Sequence, residues 1–170
     1  MSCMRRFFLA LILLAAFQSF LFAQTKLREV DLRISGVGSG TSYSGVISKF
    51  GRPASRKSER TSRELSCTGS DITDLKLQYS GLDVGLIGDG DGRNLKVVEI
   101  VVTSNRWRAS GIRVGATPKE IIRRFGEANS RTRRGSRATY GYVTSGNLGV
   151  VNFEFLDGRL VKIVMSETLC

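Results

Sequence analysis

The sequence has 170 residues and a net charge of +11, with 26 Lys and Arg residues against 15 Asp and Glu residues. It contains no His, which excludes Ser–His–Asp and Cys–His catalysis and removes the commonest metal ligand. The positive balance favours anionic partners such as lipid head groups, lipopolysaccharide, acidic polymers or nucleic acid, although an Arg-rich coding bias would give the same composition.

The first 23 residues have the three parts of an export signal. A positive start with two Arg residues is followed by the apolar run Phe7–Phe17, which continues after Gln18 and Ser19 with Phe20–Phe22, and the small Ala23 ends the segment. The run would form a helix of about 24 Å, shorter than the ~30 Å hydrocarbon core, so cleavage before Gln24 is favoured over a membrane anchor. No Cys directly follows the run, so we expect a periplasmic or secreted protein and not a lipoprotein.

Two cysteines, Cys67 and Cys170, remain after cleavage, because Cys3 leaves with the signal. In an oxidising compartment an even number suggests one disulfide, and only one pairing is available. The bond would close a loop of about 100 residues, worth roughly 4–5 kcal/mol in the chain-entropy model. Two free thiols, or a bridge between two chains, are the alternatives.

The chain contains an internal repeat with an offset of 75 positions, which relates residues 40–51 to residues 115–126. In both copies a capping residue, Ser42 or Thr117, precedes an apolar helical pattern that ends in Phe-Gly. Pro118 suits the first helical position, and the final Gly is the usual helix stop. Each copy therefore predicts a short helix.

Alternating apolar residues predict three strands after each helix. The predicted strands are Leu75–Tyr79, Leu82–Ile87 and Leu95–Thr103 in the first copy, and Ala138–Val143, Leu148–Leu156 and Arg159–Met165 in the second. Asp91-Gly92 and Asp157-Gly158 predict hairpin turns between the last two strands of each copy. Another strand is predicted over residues 30–34, and the first copy carries an insertion of about nine residues near Arg56–Asp71.

These elements predict an α+β fold of two tandem α-β-β-β repeats, with an antiparallel sheet and the short helices packed on one face. The first repeat, with its N-terminal strand, would occupy residues 24–106 and the second residues 107–170. The other face of the sheet would be partly open and curved by strand twist. A function is expected on that face or on the loops.

The residues of the second helix region resemble a known family. They are Ile112, Gly115, Thr117, Glu120-Ile121 and Phe125-Gly126-Glu127-Ala128, followed by strands and an Asp-Gly hairpin. This motif resembles the SmpA/OmlA (BamE-like) small envelope lipoproteins, and the tandem layout is similar to the β-lactamase inhibitor protein fold. The resemblance implies a non-catalytic protein that works through a surface, as a scaffold or an inhibitor. The chain lacks the lipid-anchor Cys and matches no inhibitory loop, so no target carries over.

Basic residues cluster after each predicted helix, in segments expected to be loops. The candidate anion-binding residues are Arg56, Lys57, Arg131, Arg133, Arg134 and Arg137. Arg suits bidentate binding of phosphate or carboxylate, and the repeat would place the two clusters in equivalent loops as a shared basic rim. Solvated, mobile loops without a binding role are the alternative.

Trp107, Tyr140 and Tyr142 are the candidate protein-contact residues. Tyr140 and Tyr142 are two positions apart in one predicted strand and therefore share a face. They belong either to the core or to a contact patch on the open face.

The sequence predicts an exported, non-catalytic module that binds an envelope or secreted protein through the open sheet face. The alternative is an envelope protein that binds an acidic polymer or lipid through its Arg-rich loops. Nucleic acid is not an expected partner. No cofactor or metal is expected, because Gly36–Gly40 and Asp89–Gly92 are interpreted as turns, and no spacing singles out a pair of catalytic carboxylates.

Overall fold

The computed structural model describes residues 29–62, 69–144 and 149–167. The predicted export signal lies outside these residues, as do Cys67 and Cys170, so signal cleavage and the disulfide stay predictions. Within the described ranges no helix is long and apolar enough to cross a membrane.

Two helices and nine strands are present in the described parts of the chain. The helices are α1 (Tyr43–Phe50) and α2 (Pro118–Phe125). The strands are β1 (Glu29–Val30), β2 (Ser55–Thr61), β3 (Ile72–Tyr79), β4 (Leu82–Asp89), β5 (Lys96–Val102), β6 (Ser130–Arg134), β7 (Arg137–Thr144), β8 (Gly149–Leu156) and β9 (Arg159–Glu167). All six strands predicted from apolar alternation are confirmed, and the strand expected over residues 30–34 is reduced to β1.

Strands β2 and β6 lie where the sequence predicts Arg-rich loops, and that prediction is wrong. Six of the seven residues of β2 are exposed, as are all five of β6, so neither strand has the apolar alternation that identifies a half-buried strand. Each forms because a neighbour of high strand propensity, β3 or β7, offers a ladder of backbone hydrogen bonds. Charged side chains on such edges discourage pairing with other chains.

One sheet contains all the described strands, in the order β1-β7-β8-β9-β5-β4-β3-β2, with β6 also paired to β7. The β1–β7 pairing is parallel and the others are antiparallel. Since β8 occupies one edge of β7, β6 and β1 share the other edge. The fold is therefore a mostly antiparallel sheet with two short helices, as expected for the α+β class.

The predicted helix starts and stops are confirmed. The Ser42 hydroxyl accepts a hydrogen bond from the Gly45 amide, and Thr117 and Glu120 form a reciprocal capping box. Gly51 and Gly126 end the helices with φ angles of 74° and 81°, a left-handed region in which glycine is favoured.

A single hydrophobic core lies between the helices and one face of the sheet. Val46 of α1 and Ile121 of α2 are fully buried in it. The strands contribute alternate residues, including Leu75, Leu77, Leu82, Val84, Leu86, Val97, Ile100, Val102, Val151, Phe153, Phe155, Leu160, Ile163 and Met165. Both helices therefore cover the same face, which leaves the opposite face without a described helix or strand on it.

Candidate binding surfaces

The end of each helix is fixed to the sheet by a tyrosine. Tyr79 on β3 donates its hydroxyl to the Gly51 carbonyl at 3.3 Å, and Tyr142 on β7 donates to the Gly126 carbonyl at 2.9 Å. The Phe that precedes each glycine packs on the same tyrosine, with ring centroids 5.6 Å and 5.9 Å apart. Burial raises the pKa of both tyrosines, so both hydroxyls stay protonated donors at neutral pH.

Tyr142 is a core residue, so its prediction as a protein contact is wrong. Its side chain is 1% exposed, and it lies opposite buried Val151 across the strand pair. Tyr140 faces the same helix-covered side, half-buried, with its ring 5.1 Å from that of Phe155. Neither tyrosine reaches the open face, because alternate residues of a strand share a face and these two lie on the face of β7 that points into the core.

Trp107 is half-buried in the connection between β5 and α2. Its indole N–H donates to the Ser80 carbonyl at 2.9 Å, and its ring packs edge-on against Phe50 at 5.3 Å. Both contacts tie the connection to the first half of the sheet. Trp107 is therefore held by the fold, with only part of its ring available to a partner.

The open face has an aliphatic centre surrounded by polar side chains. Val101 and Val164 pair across the β5–β9 junction, with Asp83 beside Val101 and Asn152 beside Val164. The half-exposed ion pairs Lys76–Asp83 (3.2 Å) and Lys162–Glu154 (3.5 Å) lie further out. Ion pairs this exposed contribute little to stability, so their side chains can pair with charged groups of a binding partner at little cost.

Apolar side chains also reach solvent on the β8 side of the open face. Val150 is 43% exposed and Leu156 is 39% exposed. Both alternate with the buried residues of β8, as Asn152 does, and therefore point away from the core. Isolated exposed aliphatic residues are common on soluble proteins. These two indicate a binding surface only because they lie on an uncovered face of the sheet.

Gly85 creates a shallow depression of about 340 Å³ on the same face. The depression is lined by Asp74, Lys76 and Glu99 among others. A Cβ at position 85 would lie 3.0 Å from the Cβ of Glu99, so the absence of a side chain opens this space. It is wide enough for one projecting side chain of a partner.

The basic residues of β6 and early β7 form an arginine ribbon, defined here as Ser130–Arg137. Arg131 and Arg133 lie opposite Tyr140 and Ala138, on the helix-covered side, whereas Arg134 and Arg137 form a cross-strand pair on the other side. In the described residues no carboxylate lies within 4.0 Å of Arg133, Arg134 or Arg137. Like charges directly opposite each other are destabilising, and an anion would relieve that repulsion.

The basic residues of β2 are arranged differently. Lys57 lies 3.9 Å from Glu59, Arg60 lies 2.7 Å from Asp71, and Arg56 lies over the Tyr43 ring. Because β2 and β6 lie toward opposite edges of the sheet, the two clusters do not form the shared rim that the repeat suggested. The arginine ribbon is thus the stronger candidate for anion binding.

The carboxyl groups with shifted pKa values have structural roles. Hydrogen bonds from the Thr117 amide and hydroxyl lower the pKa of Glu120 in the capping box. A hydrogen bond from the Arg93 amide lowers the pKa of Asp91 in the β4–β5 turn. Within the described ranges no group of three or more Cys, Asp or Glu residues could hold a metal ion.

No protein-family model and no curated protein matches the chain. The solved structures that resemble it include an extracellular SCP-domain protein from Bacillus anthracis, with 11% identity and a TM-score of 0.45. The match covers 75% of the chain but only 43% of that protein. A DUF4309 family protein from Bacillus subtilis has 14% identity and a TM-score of 0.41, with 75% of the chain and 79% of that protein covered. A β-lactamase inhibitor-like protein from Streptococcus mutans has 17% identity and a TM-score of 0.29, with 75% and 83% covered. Each TM-score is below 0.5, so no property is transferred from these proteins.

Proposed function

We propose that the protein is an exported, non-catalytic module that binds a partner protein on the open face of its sheet. The observation that supports this most is the uncovered face itself, which has an aliphatic centre at Val101 and Val164 and a polar surround. An apolar centre with a polar rim is the usual anatomy of a protein interface. Exposed Val150 and Leu156 extend the apolar surface toward β8.

We also propose that the fold consists of two equivalent units, with residues 24–106 in the first and 107–170 in the second. Four consecutive antiparallel strands follow each helix, and in each half a tyrosine hydroxyl binds the carbonyl of the glycine that ends the helix. The central pairing also supports a two-fold relation. Ile100 pairs with Met165 and Val102 with Ile163, symmetrically about the Val101–Val164 pair. Two units joined in this way make one continuous surface.

Export is supported by the sequence of residues 1–23, which combines a basic start with an apolar run. After cleavage the net charge would fall from +11 to +9, since two Arg residues leave. The SmpA/OmlA and inhibitor-protein resemblances of the motifs agree with a surface-acting protein in such a compartment. The partner would then be an envelope or secreted protein.

Salt dependence tests the open-face proposal. The tagged mature chain, incubated with the envelope and secreted fractions of its own host, is expected to retain its partner when the salt concentration rises from 0.1 M to 1 M. Contacts across an aliphatic centre are not screened, whereas the Debye length falls from about 10 Å to about 3 Å over this range. Release of all bound protein at 1 M salt would contradict the proposal.

A second candidate function is binding of an acidic polymer or lipid by the arginine ribbon. It is favoured by one observation, the lack of a neighbouring carboxylate at Arg133, Arg134 and Arg137 in the described residues. Binding of this kind depends on counterion release and weakens steeply with salt. The same comparison of salt concentrations therefore separates the two functions.

A further inference from the structure

The arginine ribbon forms one wall of a cavity on the helix-covered side of the sheet. The cavity has a volume of about 320 Å³ and is lined by Pro118, Arg131, Thr132, Arg133, Ser136, Ala138, Tyr140, Phe155 and Gly158. Its floor is apolar, with Ala138 and Tyr140 from β7 and Phe155 from β8. The Arg131 guanidinium lies 4.8 Å from the centroid of the Tyr140 ring and pairs with Glu127.

The first unit fills the equivalent space with its own side chains. Under the equivalence of the two units, Tyr43 corresponds to Pro118 at the start of the helix, since both follow the capping residue. Val97 and Leu160 occupy equivalent positions, because each exchanges the same backbone hydrogen bonds with the segment before its helix. Leu95 and Gly158 lie two residues before them and therefore correspond. Both Tyr43 and Leu95 are partly buried and pack against the core.

The strand residues below these positions are more exposed in the second unit than in the first, as expected if the second unit lacks the side chains that cover them. Leu75 and Leu77, on β3, are 1% and 0% exposed. Their counterparts on β7, Ala138 and Tyr140, are only half-buried. The second unit therefore lacks the aromatic and aliphatic side chains that seal the first.

An arginine stands at the equivalent strand position in each unit. In the first unit the Arg56 guanidinium lies 5.4 Å from the centroid of the Tyr43 ring. Arg131 occupies the equivalent place on β6, since Arg56 pairs with Leu77 and Arg131 with Tyr140. Arg133 adds a second cation, for which the described residues supply no carboxylate within 4.0 Å. A ligand with an aromatic ring close to a negative charge would fill the cavity with its ring and pair its charge with the arginine wall.

We propose that this cavity binds an aromatic side chain of an acidic peptide segment in a partner protein. The ring would take the place that Tyr43 has in the first unit, beside Arg131, and neighbouring Asp or Glu residues would pair with Arg133. The inference rests on the proposed equivalence of the two units but not on the open face. It places a second contact surface on the opposite side of the sheet.

Two synthetic peptides test the proposal, one with a single Phe flanked by two Asp residues on each side and one with Ala in place of the Phe. Measured by fluorescence polarisation with the mature chain, the Phe peptide is expected to bind about tenfold more tightly. Pro118→Tyr and Ala138→Leu, which restore the side chains of the first unit, should each weaken binding of the Phe peptide about tenfold. Melting temperatures of both variants, measured in parallel, should be unchanged or raised.

Matched charge variants separate the cavity from general attraction to a basic surface. Arg133→Gln, on the cavity wall, should weaken binding about tenfold, and Arg134→Gln, on the other side of the same strand, by less than about twofold. Equal effects of these two changes would overturn the proposal, as would equal affinity for the two peptides or no binding of either. Binding of phosphatidylglycerol vesicles that Ala138→Leu leaves unchanged, without selective peptide binding, would assign the ribbon to lipid and equally overturn it.

The open face serves as a control for the same measurement. Val150→Arg, on that face, is expected to leave affinity for the Phe peptide within about twofold of the wild type. For the unmodified chain, release of the captured partner at 1 M salt with intact peptide binding would refute only the open-face function. Intact capture with failed peptide binding would refute only the cavity.

Discussion

Tyr142→Ala is expected to lower the free energy of unfolding by about 3–5 kcal/mol, as for other large aromatic residues removed from a core. The substitution would empty a fully buried site, in which the ring packs against Phe125 and Phe153. It would also leave the Gly126 carbonyl without its hydroxyl donor. Urea unfolding followed by circular dichroism measures the change.

Conservative variants separate the ring from the hydroxyl. Tyr142→Phe should cost about 1 kcal/mol, the usual net contribution of one hydrogen bond. Tyr79→Phe should cost less, because its bond to the Gly51 carbonyl is longer, at 3.3 Å, and Tyr79 is only half-buried. If Tyr142→Ala abolished partner binding with little change in stability, Tyr142 would be a contact residue and its place in the core would be contradicted.

Val150→Arg and Leu156→Arg are each expected to weaken binding of the partner at least about tenfold. Each would put a charged side chain into the apolar part of the interface, where a cation without a counterion is unfavourable. Both positions are already well exposed, at 43% and 39%, so the folded state should tolerate the longer side chain. Titration of the purified partner, followed by calorimetry, measures the affinity.

Ser48→Arg is the matched control for these variants. Ser48 is exposed on α1, on the helix-covered side, and the change adds the same charge to the protein. Its effect on partner affinity should stay within about twofold. Equal weakening by Ser48→Arg and Val150→Arg would contradict binding on the open face. Equal strengthening by the two changes would indicate an anionic ligand and favour the second candidate function.

Much of the fold could be predicted because its signals are local. Apolar alternation identifies β3, β4, β5, β7, β8 and β9, since each has one face in the core. Capping residues and terminal glycines identify both helices. These features depend on neighbours within a few positions along the chain.

The two edge strands could not be predicted, because only their partners make them strands. Neither Ser55–Thr61 nor Ser130–Arg134 buries a face, so each sequence is indistinguishable from that of a solvated loop. Alternation also shows that Tyr140 and Tyr142 share a face, but not which face the helices cover. The choice between core and contact patch therefore required the three-dimensional arrangement.

Tyr79 and the cavity beside the arginine ribbon were missed for different reasons. Tyr79 ends a predicted strand just as Tyr142 lies near the end of its own, so aligning the strands as well as the helices would have identified the pair. The cavity depends on Pro118 and Gly158 having smaller side chains than Tyr43 and Leu95. That comparison requires knowing which positions meet in space.

Site-specific photocrosslinking tests the open-face function most directly. Benzoylphenylalanine is placed at Val150 on the open face and, in a second variant, at Ser48 on α1. Binding on the open face predicts a covalent adduct with the same partner protein from position 150 at both 0.1 M and 1 M salt, and none from position 48. An adduct from position 48 alone, or from neither position while capture of the partner persists, would contradict binding on the open face.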